Sequence, residues 1–438
     1  MNEIKIFPRV LIIYNSRINK ADQHGVSIRG WFGDWPKEKL AQIYSGGEVG
    51  DESFCAFNFK LGPNERRLGK FFFKLKSSPI GQTSYIVPEG ENLQRISLLS
   101  LFKNKISEWL INTGLWEIIF KPILSNELIN YIESFKPQII YCQGYSLTFS
   151  WLPIMIHKMF NIPICFQTGD DWPANLYVDS PLSFAIRPIV QGTVKTLLAA
   201  SSARLVNGNL MAKLFNERYK ISFEPVMMCD NLVRFRKSIP HRVFDKNVLT
   251  VIYTGGLAHG RWVSLVDLCK AAESINIDGF KIKVIALATI IPAEAVNTLG
   301  KVNNLFIQPG PSHEELPSYL KGANVLFLPE TFDPVEAKVI GLSVSTKAHL
   351  YMMSERPILV YSSPITGVMQ YAKEAGWGHT VQEQNENKLS EALHSLLTDD
   401  KYCKMLIENG IQVVLKNHDE NNVRARFLSI LNEIKKQI

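Results

Sequence analysis

Residues 249–261 read LTVIYTGGLAHGR, an apolar run that ends in a glycine-rich turn and an arginine. The run is apolar throughout rather than alternating, which is typical of strands buried on both faces of a parallel sheet. In open α/β sheets, ligands bind at the carboxyl ends of the strands. This stretch therefore predicts a buried parallel strand followed by a loop that can carry chemistry.

Similar apolar runs occur on both sides of it, separated by segments with helical spacing. They are Arg9–Tyr14, Gln138–Cys142, Pro163–Gln167, Arg204–Asn207, Pro225–Cys229, Lys281–Ala286, Leu305–Gln308, Val325–Pro329 and Ile358–Tyr361. Strand and helix alternating at this length indicate doubly wound α/β sheets. A polar, basic stretch at residues 230–246 divides the runs into two sets and is predicted to be a linker.

The sequence thus predicts an α/β protein of two domains, at residues 1–235 and 245–420. The first contains a basic insertion at about 56–121, irregular at its start and helical towards its end. Residues 421–438 place Val423, Phe427, Ile430, Leu431 and Ile434 on one stripe. This spacing predicts an amphipathic helix, which we expect to pack back on the first domain.

Composition excludes several classes of protein. In a chain of 438 residues, 46% hydrophobic and 20% charged residues rule out a disordered, collagen-like or small disulfide-stapled protein. No apolar run approaches the roughly 20 residues that span a bilayer, and the first residues lack an apolar signal core. Six scattered cysteines without a CxxC pair indicate buried free thiols in a reducing cytosol and no zinc site.

The net charge of +7 is concentrated in one segment. Residues 60–76 carry six basic residues and one acid, interleaved with apolar side chains. The combination suits an anionic membrane surface, while a solvated face covering core aromatics is the alternative. Nucleic acid is disfavoured as a partner because no nucleic-acid module is visible. The predicted membrane contacts are Arg66, Arg67, Lys70, Phe71, Phe72 and Lys74.

Two loops of the first domain are candidates for chemistry. His24, Gly25 and Ser27 follow the first strand, where backbone N–H groups before a helix could approach an anion or a sugar; a plain strand–helix turn is the alternative. The sequence TGDDWP at 168–173 puts Asp170 and Asp171 beside Trp172, which is predicted to contact the acceptor or a sugar. Such carboxylates can bind sugar hydroxyls or act as a base, although one of them could simply cap the next helix.

The second domain supplies a set of candidate anion-binding residues. Glycines in the loop after residues 249–253 allow close backbone approach, and an arginine at a helix start would hold a diphosphate. A lysine in the first turn of another helix opposes the helix dipole, so it indicates a nearby anion, with an ordinary surface lysine as the alternative. The candidates are Gly255, Gly256, Arg261, Asp333, Thr346 and Lys347.

At these residues the chain resembles the GT-B glycosyltransferases, most closely the retaining family-four type of bacterial polysaccharide gene clusters. The glycine loop with its arginine is followed by PSHEELPSYLKGANVLFLP and STKAHLYMMSERPILVY, in the order seen in that family. In the first half, HGVSIRGWFGDWPKEKLAQIY and TGDDWP are similar to segments of the same group. The resemblance covers both halves and is weakest in the basic insertion.

The resemblance implies two Rossmann-like domains facing a cleft, and a transfer of a hexose-type sugar. The second domain would bind a nucleotide-sugar, with Arg261 and Lys347 on its diphosphate, and the first would bind the acceptor near Asp170 and Asp171. Catalysis would retain anomeric configuration, with no metal and no cofactor. A lipid-linked glycan in capsule or O-antigen synthesis, at the cytoplasmic face of the membrane, is the expected acceptor.

This chain also departs from the family's pattern. Leu342 and Leu350 stand where the family often has a pair of glutamates, Val266 replaces the usual lysine after Arg261, and Glu355 replaces a glycine. The missing glutamates leave ribose recognition unexplained. Two alternatives therefore stay open: a non-catalytic homologue that binds glycan or nucleotide-sugar, and another nucleotide-sugar enzyme such as an epimerase.

Overall fold

A computed structural model describes residues 5–19, 23–46, 53–69, 107–244 and 247–436. Its strands form two sheets. The first contains β1 Val10–Ile13, β2 Leu40–Tyr44, β3 Phe57–Lys60, β4 Ile139–Cys142, β5 Ile164–Thr168, β6 Ser201–Val206 and β7 Glu224–Pro225. The second contains β8 Val248–Thr254, β9 Lys281–Leu287, β10 Leu305–Gln308, β11 Val325–Pro329, β12 Ile358–Tyr361 and β13 His379–Val381.

Helices connect the strands. In the first half they are α1 Gln23–Trp31, α2 at 107–113, α3 Leu115–Ile119, α4 Asn126–Phe135, α5 Leu147–Phe160, α6 Trp172–Asn175, α7 Ser183–Ala200 and α8 Asn209–Tyr219. Then come α9 Leu232–Lys237, α10 Arg261–Ser274, α11 Ala293–Leu299, α12 Leu316–Gly322, α13 Pro334–Ile340, α14 Lys347–Met353, α15 Gly367–Ala375, α16 Glu386–Thr398, α17 Asp400–Asn417 and α18 Glu420–Lys435. Within the described ranges, every helix is too short or too polar to cross a bilayer.

The order of the strands is doubly wound in each sheet. The first runs β3-β2-β1-β4-β5-β6-β7 and the second β10-β9-β8-β11-β12-β13. In the first sheet, the six neighbouring strands β3, β2, β1, β4, β5 and β6 pair in parallel. All strands of the second sheet also pair in parallel. From the adjacent strands β8 and β11, the chain winds towards opposite edges of the sheet. The loops that follow these two strands therefore flank the crevice where such sheets bind ligands. The α/β class and the two Rossmann-like sheets are confirmed.

The chain divides into two compact units. The first unit comprises the described parts of Met1–Val206, Phe215–Glu224 and Arg424–Ile438, and the second comprises Asn207–Leu214 and Pro225–Val423. Relative to the predicted domains, residues 207–214 and 225–235 belong with the second unit. The chain returns to the first unit at residue 424.

The predicted C-terminal helix forms as α18 and packs on the first unit. Phe427 is fully buried, with its ring centroid 5.0 Å from that of Phe32 and 6.0 Å from that of Trp35. Arg424 donates to the Gly30 carbonyl at 2.8 Å and pairs with Asp34 at 3.0 Å. All five residues of the predicted stripe are buried, which confirms its orientation.

Several predicted elements need correction. Strands β2, β3 and β13 were not predicted, and β3 lies in the insertion that was expected to start irregularly. Of the run 225–229, only Pro225 is in a strand. The predicted linker holds helix α9, because Leu232 and Phe235 are buried in the core of the second unit. All six cysteines are free, as predicted, and five of them are buried.

Candidate functional site

The glycine-rich loop after β8 is fixed by its backbone. Gly255 has φ +116°, a value that side chains other than glycine rarely adopt, and its N–H donates to the Leu287 carbonyl at 3.0 Å. The hydroxyl of Tyr253 donates to the Gly256 carbonyl at 2.6 Å. Gly260, at φ +72°, precedes the first residue of α10. The loop therefore brings Arg261 to the carboxyl edge of the sheet.

Arg261 is held by an acid from the neighbouring strand. Its Nη2 lies 2.6 Å and its Nε 2.9 Å from Oε2 of Glu330, which directly follows β11. Only 16% of the arginine side chain and 7% of the glutamate side chain are exposed. Burial alone would lower the pKa of Arg261, but the charge and hydrogen bond of Glu330, together with the nearby Tyr253 and Glu336, outweigh burial and the pKa is raised. Arg261 therefore carries its positive charge in a fixed position.

Lys347 reaches the same place from the start of α14. A Cβ atom on residue 255 would lie 2.5 Å from its Cε, so the glycine makes room for the lysine. Its Nζ lies 5.7 Å from the ring centroid of Tyr253. Burial, and to a lesser degree the charge of Arg261, lower the pKa of Lys347 to about 8, while the charge of Glu330 acts in the opposite direction.

Two cationic groups and one carboxylate thus meet at the switch point of the second sheet. Lys347 makes no hydrogen bond or ion pair with the part of the chain that the structure describes. The excess of positive charge, partly removed from water, makes this place suited to an anion with several oxygens. The structure brings together Gly255, Gly256, Arg261 and Lys347 of the predicted set.

Glu330 was missed by the sequence analysis. The only available signal was an acid directly after a buried apolar strand, at the edge where ligands bind. Its role depends on a partner 69 residues away, which the sequence does not reveal.

Two other predicted donor residues have different surroundings. The Asp333 carboxylate accepts hydrogen bonds from the N–H groups of Val335 and Glu336 at 2.8 and 2.9 Å, so it caps α13. Thr346 is exposed and makes no side-chain cap for α14. Within the described residues, no three His, Cys, Asp or Glu side chains lie close enough to hold a metal ion.

In the first unit, the adjacent carboxylates of the loop after β5 have separate environments. Asp171 is buried and pairs with Arg218 through two bonds of 2.6 and 2.8 Å. Asp170 is partly exposed, and its Oδ1 accepts from the Trp172 N–H at 3.0 Å. Asp171 is therefore occupied in holding α8, and Asp170 is the more accessible of the two.

Trp172, which was predicted to contact the acceptor or a sugar, is buried. It is only 7% exposed, its Nε1 donates to the Gln143 carbonyl at 3.1 Å, and its ring packs directly on Gly144. The indole fills the space left by a glycine at φ +80°, and the contact with sugar stays a prediction.

The first predicted loop also differs from expectation. Helix α1 begins at Gln23, so Gly25 and Ser27 lie inside it and not ahead of it. A Cβ atom at Gly25 would lie 2.6 Å from the Asn19 carbonyl oxygen, so this glycine serves close packing of the backbone. His24 lies in the same helix, and its side chain is outside the described part of the chain.

Most of the predicted membrane segment lies outside the described residues. This applies to Lys70, Phe71, Phe72 and Lys74. Arg66 forms an isolated bridge with Pro122, and the Arg67 N–H donates to the Lys121 carbonyl at 2.9 Å with its side chain exposed.

Comparison with known proteins gives similarity of structure only. No protein-family model matches the sequence, and no curated protein matches it. Sucrose-phosphate synthase from Thermosynechococcus elongatus matches with a TM-score of 0.64 and 13% identity, covering 98% of this chain and 99% of that chain. HepE of Anabaena in complex with UDP and glucose matches at 0.59 and 9% identity, covering 97% and 99%.

A third similar structure is WaaG, a glycosyltransferase involved in lipopolysaccharide biosynthesis. Its TM-score is 0.58 at 10% identity, with coverage of 96% of this chain and 99% of that chain. Identity this low shows the fold alone. The chain has the fold of the GT-B glycosyltransferases, as the order of its motifs indicated.

Proposed function

We propose that this protein is a glycosyltransferase that moves a hexose-type sugar from a nucleotide-diphosphate sugar to a lipid-linked glycan. The observation that carries the proposal is the meeting of Arg261 and Lys347 around one carboxylate, at the switch point of the second sheet. The complexes of HepE with UDP and with UDP-glucose support a uridine nucleotide as the first donor to test.

The geometry suits stabilisation of a leaving group. When the bond to the sugar breaks, negative charge grows on the departing diphosphate. Arg261 is already fixed by Glu330, so no reorganisation is needed to oppose that charge. Lys347 has a pKa of about 8, and an adjacent anion would raise it and secure the proton. These two cations would take the place of a divalent metal, and no other cofactor is required.

On the acceptor side, we assign the polar contact with sugar to Asp170. Its carboxylate is partly exposed, whereas that of Asp171 is buried in the pair with Arg218. A carboxylate of this kind can accept hydrogen bonds from acceptor hydroxyls and orient them. Retention of configuration would then follow if the leaving diphosphate accepts the acceptor proton on the same face.

The donor site is tested by binding of nucleoside diphosphates. Purified protein is titrated with UDP, GDP, ADP and TDP, with thermal unfolding as the readout. A ligand at about 100 times its Kd should raise the free energy of unfolding by about 2.7 kcal/mol. Arg261→Met and Lys347→Met should each abolish the shift. The matched controls Arg236→Met and Lys373→Met change exposed residues elsewhere in the second unit and should retain it.

The transfer itself is tested with the nucleotide that binds. A labelled sugar should move to lipid extract only with wild-type protein, and NMR of the product should give the donor's anomeric configuration. Asp170→Asn keeps an oxygen that can accept the Trp172 N–H, so it should lower transfer at unchanged stability. Lack of any nucleotide-dependent shift would contradict the donor site. An inverted product would contradict retention only.

A binding protein without transfer activity is the second candidate, and one observation favours it. Leu350, in a place where the family often has a glutamate, packs against the core of the second unit. It cannot hydrogen-bond a ribose. Nucleotide binding without any turnover of the donor would support this second candidate. Release of free sugar from the donor would instead indicate a nucleotide-sugar hydrolase, and conversion of the donor sugar into its epimer would indicate an epimerase.

A further inference from the structure

A groove of about 450 Å³ lies between α5 and α7 in the first unit. Trp151 is one of its lining residues and donates from Nε1 to the Thr193 hydroxyl at 3.0 Å. Lys121 lies over the indole, with Nζ 4.7 Å from the ring centroid. The walls are Ile154, Met155, Lys158, Ile189, Gly192 and Thr196. The groove thus combines an apolar lining with two ammonium groups.

The charged side chains that line this groove have one sign. Helices α5 and α7 together contain none of the 41 acidic residues of the chain, and no acid lines the groove. Lys158 and Lys195 lie exposed on these helices, and neither forms an ion pair within the described part of the chain. Lysines on an ordinary solvated helix are usually interleaved with acids, so this face is complementary to a negatively charged surface.

The same two helices expose large apolar side chains. Phe184 is 78% exposed, Met159 54% and Ile189 39%. The opposite face of α7 is already buried through Val190, Val194, Leu197 and Leu198. The exposed side chains are therefore additional to the core and leave apolar surface that folding does not cover.

We propose that this surface, formed by Lys121, Trp151, Lys158, Met159, Phe184, Ile189 and Lys195 and here named the α5–α7 surface, docks on a bilayer that contains anionic phospholipid. Apolar side chains enter the boundary between headgroups and acyl chains, while lysine stems lie along it and their ammonium groups meet phosphate. A groove lined by an indole and an ammonium group suits one lipid headgroup. The absence of acids from α5 and α7 favours a lipid surface over a protein partner of mixed charge.

This inference rests on the lipid-linked acceptor of the proposed function, and it adds a location for the membrane contact. That location differs from the basic segment at 60–76. Its test requires no transfer activity. Vesicles of phosphatidylcholine, alone or mixed with phosphatidylglycerol, are sedimented with the full-length protein at about 0.1 M and about 1 M salt.

The test variant combines Lys158→Gln, Met159→Ser and Lys195→Gln. Its control combines Lys401→Gln, Lys404→Gln and Met405→Ser on α17, which removes the same residue types from an exposed face that also carries Asp400 and Glu408. Each lysine near an anionic surface contributes roughly a fivefold factor in binding, so the test variant should partition about 30-fold less. The control should partition like the wild type, and both should retain the wild-type melting temperature.

Each remaining outcome has one meaning. Wild-type binding that the test variant leaves intact would overturn the α5–α7 surface, while membrane association through other residues would stand. Failure of the wild type to bind any vesicle would overturn both, although nucleotide binding would still report on the donor site. Binding to phosphatidylcholine vesicles as strong as binding to vesicles with phosphatidylglycerol would overturn an anionic bilayer as the occupant. Self-association of the protein that only the test variant abolishes would overturn it as well.

Discussion

Arg218 donates to both carboxylate oxygens of Asp171, at 2.6 and 2.8 Å, and the two residues differ in exposure. The Asp171 side chain is 4% exposed and the Arg218 side chain 38%. Arg218→Met should therefore cost about 3 kcal/mol of unfolding free energy, since it leaves a buried carboxylate unpaired. Asp171→Asn should cost less, about 1 kcal/mol, because the arginine can turn into water. Urea unfolding measures both, and the opposite ranking would contradict the buried pair.

Lys347 should make nucleotide binding depend on pH. With a pKa of about 8, the lysine is mostly charged at pH 7 and mostly neutral at pH 9. The affinity for UDP should then fall roughly tenfold between these values. Calorimetric titration measures it, and Lys347→Met should bind weakly with a flat profile. A wild-type affinity that stays constant across this range would exclude Lys347 from the anion site.

The same lysine should lower the stability of the free protein. Its pKa is 10.5 in an unfolded chain and about 8 when folded, so the unfolded state binds the proton more tightly. The resulting loss of unfolding free energy is fully present below pH 8 and disappears as the pH rises towards 10.5. Lys347→Met should raise the unfolding free energy at pH 7 by roughly 1–3 kcal/mol while removing nucleotide binding. Thermal unfolding without ligand gives the result, with Lys373→Met as the neutral control.

Gly255→Ala should affect both stability and binding. The new Cβ would sit 2.5 Å from Cε of Lys347 and would impose φ +116° on alanine. Gly279→Ala is a matched control, because it has φ +77° and nothing within 4 Å of the added carbon. Each change should cost about 1–2 kcal/mol through backbone strain. Only Gly255→Ala should weaken UDP binding, and equal UDP affinities in the two variants would argue against the displacement of Lys347.

His418 should make the second unit sensitive to acid. Its Nδ1 donates to the Met228 carbonyl at 2.7 Å, and its Nε2 accepts from the Tyr371 hydroxyl at 3.0 Å. Burial lowers its pKa from 6.5 to about 4. The contribution of neutral His418 to the free energy of unfolding is therefore fully present above pH 6.5. It falls by up to about 3 kcal/mol as the pH drops to 4. His418→Gln should flatten this decline in melting temperature, and the exposed His394→Gln should leave its slope unchanged.

Strand prediction succeeded where almost every residue of the strand is apolar. Leu305–Gln308, Val325–Pro329 and Ile358–Tyr361 were predicted with the bounds that the structure gives. Strand β2 was missed because its central residue, Gln42, is polar. That side chain is buried because it donates to the Ser16 carbonyl and accepts from the Ile18 N–H. Partners of this kind come from a distant loop and leave no periodic signal.

The candidate site shows the same limit. A glycine turn, an arginine and a lysine could be predicted because each has a local reason to be unusual at its position. Glu330 could not be assigned, and the burial of Trp172 could not be foreseen, because both depend on which residues these side chains contact. Asp171 is similar, since its partner Arg218 lies 47 residues away.

The return of α18 to the first unit has a consequence for synthesis of the protein on the ribosome. Phe427 completes the aromatic cluster of Phe32 and Trp35, yet 199 residues separate Glu224 from Arg424. At about 5–20 residues per second, this interval takes roughly 10–40 s. Until then, the apolar face that α18 covers has no native partner on the nascent chain. The first unit therefore begins to form first and is completed last, and its unfinished core is the surface that a chaperone would have to protect.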